Sequence, residues 1–184
     1  LKSEDINPEV TQEIAKDIDR LETITERFSK IGSVPELREH NIVAETKKAY
    51  DYLKQRSSKL VHFSFSSNVD EALVLMNPPL YNWSIENLVK NGIDAMKGKG
   101  NIAIQIEKKG QTINILVSDT GHGIPKSDFH NIFNPGVTSK QRGWGLGLSL
   151  VKRIVEEYHK GKIKVFSSSK EGTIMQISLR ANEN

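Results

Sequence analysis

The 184-residue chain contains no cysteine, which excludes disulfide staples, thiolate metal clusters and thiol nucleophiles. That absence fits the cytosol better than secretion. No apolar run approaches the roughly 18–20 residues of a membrane-spanning helix, and mean hydropathy is −0.46, so no membrane span is expected. Charge of one sign is not concentrated either. Lys and Arg total 26 against 23 Asp and Glu, a net charge of +3, with no block of five or six like charges, so no nucleic-acid partner is expected. No signal-peptide pattern opens the chain, which reads as a cytoplasmic segment; any membrane anchor would belong to a longer parent protein. What is present, 36% apolar and 27% charged residues, suffices for one compact domain plus an appendage.

Asn7-Pro8-Glu9 reads as a helix start, because Asn7 can cap, Pro8 suits the first helical position and Glu9 complements the helix dipole. Val10, Ile14, Asp17, Leu21, Ile24, Phe28 and Ile31 then follow a heptad seam with one polar breach, ended by Gly32 and Pro35. By itself this is either a helix packed on its own domain or one strand of a bundle. Residues 34–41 read as a linker and 42–56 as a second amphipathic helix. Val61, Phe63 and Phe65 alternate with polar residues as in a strand, and Pro78-Pro79 breaks the chain before a helix over 81–97. Two alternating strands centred on Ile102/Ile104/Ile106 and Ile113/Ile115/Val117 are joined by Lys109-Gly110-Gln111. A glycine-rich stretch from Gly121 to Gly147 leads to a helix over 146–159 and strands at 162–167 and 173–179. Hairpins dominate, so the expected fold class is α+β. It is a two-layer α/β sandwich, a mixed, mostly antiparallel sheet with helices on one face.

On the 81–97 helix, Ile85, Leu88, Val89, Gly92 and Met96 share one arc, while Asn87, Asn91 and Asp94 lie opposite. Asn is a poor helix-interior residue, and two of them at i and i+4 suggest a task beyond solubility. A carboxamide oxygen is a hard neutral ligand, and magnesium bound to a nucleotide takes only one or two protein ligands, so one such Asn can anchor Mg–ATP. The 113–117 strand runs into Asp119-Thr120-Gly121-His122-Gly123-Ile124-Pro125, an acid followed by a tight turn that lets a flat ligand approach backbone. Further on, Gly143-Trp144-Gly145-Leu146-Gly147-Leu148 opens a helix and offers amides and a positive dipole end to phosphates. Neither a Walker A pattern nor a Rossmann glycine fingerprint is present.

In this order the segments resemble the catalytic and ATP-binding domain of sensor histidine kinases of two-component systems. These belong to the GHKL superfamily, with DNA gyrase and heat-shock chaperone ATPases. NLVKNGIDAM at 87–96 is similar to the N box, DTGHGIP at 119–125 to the G1 box, FNPGVTSK at 133–140 to the F box and GWGLGLS at 143–149 to the G2 box. GT at 172–173 is similar to the last nucleotide-contact motif. The resemblance implies a Bergerat-type ATP-binding fold over 42–184, with ATP and Mg²⁺ as ligands. The helix before residue 34 would be the second helix of a dimerisation and histidine-phosphotransfer hairpin, domain 1–33, with 34–41 as linker.

Carried over residue by residue, Asn91 would ligate Mg²⁺, Asn87 would stand near the phosphates, and Lys140 would reach them; these three would be the catalytic groups. Asp119 would accept the adenine amine, Thr173 would support that edge through water, and Gly121, Gly123 and Ile124 would line the base. Asp94 and Ala95 complete the helix side of the nucleotide site. A lid over about 126–144 would be anchored by Phe133 and would include Thr138, Ser139 and Gly143, and the amides of Gly145, Leu146, Gly147 and Leu148 would hold the phosphate tail. Gly92 departs from the usual alanine, Trp144 from a small or polar residue, and Gly136-Val137 from an aromatic, which touches lid packing more than phosphate chemistry.

The implied partners are a response-regulator receiver domain, the protein's own phosphoacceptor hairpin and a second copy in a homodimer. In this family the phosphoacceptor histidine precedes an acidic residue. His40, His62, His122, His130 and His159 precede Asn41, Phe63, Gly123, Asn131 and Lys160, so all five read as surface or loop histidines and the acceptor as lying elsewhere. The alternatives are a GHKL-type ATPase and an anti-sigma-type serine kinase. Hydrolytic members carry a glutamate one turn before the Mg-binding asparagine, where this chain has Asn87, which cannot act as a base near neutral pH.

Overall fold

The structure is a computed structural model that describes residues 35–138 and 145–182. The heptad helix expected over 8–32 lies outside the described residues, as do Ser139, Lys140, Gly143 and Trp144.

Helix α1 (Ile42–Arg56) has the bounds its periodicity predicts. The Asn41 side chain caps it by accepting from the Val43 amide, Glu45 sits in the first turn, and Lys54 and Arg56 close the last. Ile42, Thr46, Ala49, Tyr50 and Leu53 form its buried face. Helix α2 (Pro78–Ala95) begins three residues before its predicted start. Pro78 and Pro79 do not break the chain ahead of it but form its first turn, where a missing N–H costs nothing, and Asn77 caps by accepting from the Leu80 amide. The two helices are joined in the core by the Thr46 and Tyr81 hydroxyls, 2.6 Å apart and fully buried.

Residues 38–41, expected within the linker, form strand β1 (Arg38–Asn41), which pairs antiparallel with β3 (Leu73–Met76) in a two-stranded ribbon. The main sheet contains β2 (Val61–Ser67), β4 (Gly100–Lys109), β5 (Thr112–Asp119), β6 (Lys162–Ser169) and β7 (Gly172–Arg180) in the order β2-β4-β5-β7-β6. Only β2 and β4 are parallel, so the sheet is mixed and mostly antiparallel as expected.

Alternation places Ile102, Ile104 and Ile106 of β4, Ile113, Ile115 and Val117 of β5, and Met175, Ile177 and Leu179 of β7 on one buried face. That face packs against Ile85, Leu88 and Val89 of α2 and Val151 and Val155 further on, in one core cluster. Each such side chain contributes about 1.5–3 kcal/mol when fully removed from water. On the opposite face, Asn114, Gln176 and Ser178 bond one another.

The last helix, α3 (Gly147–Lys152), continues as a π-helical turn over Arg153–Tyr158. At its end His159, expected at the surface, is only 8% exposed. Both ring nitrogens explain the burial: Nδ1 faces the Ile154 carbonyl at 2.8 Å and Nε2 accepts the Asn77 amide at 3.0 Å.

Candidate nucleotide site

Three elements end at one place: the middle and C-terminal turns of α2, the C-terminus of β5 and the N-terminus of α3. β5 delivers Asp119 in register with Ile102 of β4 and Thr173 of β7, so the carboxylate points to the helix side of the sheet. Its Oδ1 accepts the Gly121 amide at 2.8 Å. Burial pushes the Asp119 carboxyl above its ordinary range, while the amides of Gly121 and Thr173 and the nearby His122 pull it back. Gly92 of α2 lies directly beneath it: a Cβ there would stand 2.8 Å from the Asp119 Cβ and 2.9 Å from the Ile102 Cδ1.

The turn after Asp119 folds onto the end of α2. The His122 amide donates to the Ala95 carbonyl at 3.3 Å, and Gly121 is packed against Ala95. Thr120 Oγ1 accepts the Asn101 amide at 3.0 Å and donates to the Met96 sulfur at 3.2 Å, tying the turn to β4. Gly123 has φ of 78°, and any Cβ there would collide with the Ser169 carbonyl, so only glycine fits. Ile124 is half-buried, and its amide donates to Ser168 Oγ at 2.7 Å.

On α2, Asn87 and Asn91 are half-buried, Asp94 is exposed and Ala95 is half-buried, while Ile85, Leu88, Val89 and Gly92 are buried, matching the two predicted faces. Asn87 Nδ2 donates to the Trp83 carbonyl at 3.0 Å. That orientation turns Asn87 Oδ1 toward α3, where a Cβ on Gly147 would lie 2.9 Å from it. The first turn of α3 therefore rests on the Asn87 carboxamide, with Gly145, Leu146, Gly147 and Leu148 half-buried there. Glu86, one position earlier, is paired with Lys90 at 2.5 Å.

Phe133 is buried at 7% exposure in a short 3-10 turn, Asn131–Phe133, whereas Thr138 is exposed. The Gly136 amide donates to the Gly145 carbonyl at 3.1 Å, which joins the two ends of the intervening segment. Ser139, Lys140 and Gly143 of the expected lid lie outside the described residues.

The site thus unites an acceptor of raised pKa, a tight glycine turn, two carboxamides and a helix start. Among the described residues no group of three or more His, Asp or Glu converges on a metal position. A hard cation here would take a neutral oxygen from Asn91 and complete its shell with phosphate and water, which the chemistry of this donor set fits. Ser168 and Thr120 were not read from the sequence. Their only signal is a serine run, 167–169, before Gly172-Thr173, and a threonine inside a glycine turn.

A family model described as histidine kinase-, DNA gyrase B- and HSP90-like ATPase matches residues 82–183. The sensor histidine kinase ZraS of Salmonella typhimurium is 27% identical over 180 residues, covering 93% of this chain and 37% of its own length. The catalytic domain of histidine kinase ThkA superposes with a TM-score of 0.72 at 27% identity, covering 79% of this chain and 95% of that one. A structure of ThkA in complex with the response regulator protein TrrA gives a TM-score of 0.77 at 24% identity, covering 99% of this chain and 53% of that one. The chain spans 15–37% of the length of the curated kinase relatives it matches. No helix among the described residues is long and apolar enough to cross a membrane. Family match and fold agree: the chain belongs to the histidine kinase-, DNA gyrase B- and HSP90-like ATPase family and is of the sensor histidine kinase type.

Proposed function

We propose that this domain binds Mg–ATP and transfers the γ-phosphoryl group to a histidine on a phosphotransfer hairpin, for relay to a response-regulator receiver domain. The observation that carries the reading is that one helix, α2, carries Asn87 and Asn91, meets Asp119 at Gly92 and meets the start of α3 at Asn87, which suits adenine at one end and phosphates at the other. Asp119 accepts the adenine amine, the tight turn held by Gly121 and Gly123 lies beside the ring, and Asn87 with the α3 amides faces the phosphates. Asn91 holds Mg²⁺, which when bound neutralises charge on the β and γ phosphates. Lys140, together with Ser139 and Gly143, would belong to the lid that the resemblance implies, and its ammonium would supply a second positive charge to the phosphates. An imidazole nitrogen attacks the γ phosphorus in line, the bond to the β–γ bridging oxygen breaks, and ADP leaves. The protein contributes position and electrostatics.

The ATPase reading needs a base for water. Asn87 has none to offer, and Glu86 is engaged with Lys90 on the neighbouring face of the helix. The resemblance of the N-terminal heptads to a dimerisation hairpin favours a homodimeric parent kinase over a serine kinase of the anti-sigma type. The cytoplasm, where ATP and receiver domains meet, is the proposed place of action. Equilibrium titration with ATP, with and without Mg²⁺, combined with phosphate release, tests this reading. Tight Mg-dependent binding with negligible phosphate release is expected; rapid release by the chain alone would favour hydrolysis.

A further inference from the structure

Strand β6 contains a bulge between Val165 and Ser167. Val165 and Met175 are a buried pair in ordinary register, and unbroken alternation would next turn Ser167 inward. The extra residue instead sets Ser168 opposite Thr173, on the face that carries Asp119.

Ser168 Oγ makes three contacts there. It receives the Ile124 amide at 2.7 Å, lies 3.2 Å from the Gly172 carbonyl and 3.0 Å from Thr173 Oγ1. A hydroxyl has one hydrogen and two lone pairs. The Ile124 N–H can only donate and the Gly172 carbonyl can only accept, so Ser168 spends its hydrogen on Gly172. All three contacts are then satisfied in one way: Thr173 donates to Ser168. Thr173 is 4% exposed, so its hydroxyl has little recourse to water. With its hydrogen committed to Ser168, Thr173 offers only lone pairs toward the ligand.

We propose that Ser168 is a positioning residue that holds the Thr173 hydroxyl as an acceptor beside Asp119, so that the cleft selects a 6-amino purine against a 6-oxo purine. This rests on the nucleotide reading above and adds a specificity device to it. A 6-amino group brings hydrogens to this acceptor edge. A 6-oxo group brings lone pairs, which this edge leaves unpaired, and the N1–H beside it can satisfy only one of the two acceptors. In Ser168→Ala the Thr173 hydrogen is released to turn toward the ligand or toward Asp119, and the acceptor edge loses its definition.

The test is competitive binding of ATP and ITP, which share ribose and triphosphate, to the full chain as wild type, Ser168→Ala, Thr173→Val and the double variant. Wild type prefers ATP, and Ser168→Ala lowers the ATP-over-ITP ratio about tenfold. Because each ratio is taken within one protein, a general loosening of the turn at Ile124 cancels. In the Thr173→Val background the serine change leaves the ratio where it was, since its effect passes through Thr173. An unchanged ratio in Ser168→Ala, or an equal drop with Thr173 absent, overturns the inference while leaving nucleotide binding intact. Wild-type protein that binds neither nucleotide overturns the nucleotide reading, and this inference with it.

Discussion

Asp119 Oδ1 accepts the Gly121 amide at 2.8 Å, so the carboxylate proposed to meet a ligand amine also shapes the turn that follows it. The carboxylate is held in a half-buried place that raises its pKa. In the span between its unfolded and folded pKa values the native state binds more protons, so stability falls as pH rises through that span, and the ionised group is a cost at neutral pH. Asp119→Asn keeps an acceptor for Gly121 but turns an amide donor toward the ligand. It is expected to weaken ATP binding by at least about tenfold while leaving the melting temperature at neutral pH equal or higher. Calorimetric titration and thermal melting check both parts, and wild-type affinity in this variant would refute the adenine assignment.

Asn91→Ala removes the neutral oxygen proposed for Mg²⁺. The expected change is loss of the Mg²⁺ dependence of ATP binding, with metal-free binding little altered. Titrations in magnesium and in chelator separate the two, and an unchanged dependence would refute the ligand role.

Gly92 and Asp119 are packed so closely that an added methyl at Gly92 would overlap the Asp119 Cβ. Alanine there gains helix propensity, about 1 kcal/mol at most, but must displace either the carboxylate or α2. Gly92→Ala is therefore expected to lower ATP affinity several-fold without unfolding the domain. Equal affinity would mean that the Asp119 position tolerates a shift of several tenths of an ångström.

His159 stabilises as the neutral ring, since its Nε2 must accept the Asn77 amide. Burial lowers its pKa below the ordinary 6.5. Between the lowered value and 6.5 the unfolded chain binds the extra proton, so stability is complete above about 6.5 and is lost as pH falls toward the folded value. His159→Gln is expected to be less stable at pH 7, by about 1–3 kcal/mol, with a flatter dependence on acidification. Urea unfolding across that range reads both, and parallel pH profiles would contradict this account.

Strong alternation made β4 and β5 legible, and the 3.6-residue pattern with a good cap made α1 legible to the residue. The β1–β3 ribbon was not, because Arg38-Glu39-His40-Asn41 carries no apolar alternation to mark it as a strand. The start of α2 was misplaced because prolines read as breakers, although the first helical turn is where they fit. Within the site, Asp119, Asn87 and Asn91 were readable as residue types at meaningful spacings. Ser168 was not, since its inward direction depends on a bulge that shifts the register of β6 by one residue. The burial of His159 likewise depends on Asn77, a partner far away in sequence.

Phosphoryl transfer from γ-labelled ATP tests the central claim most directly, in three samples: this chain alone, this chain with a histidine-bearing hairpin from its parent protein, and that hairpin alone. Acid-labile, base-stable label on the hairpin only in the mixture is the result predicted for a histidine kinase domain. Free phosphate released without any labelled protein would contradict it and would make this domain a hydrolase that works without a glutamate at position 87.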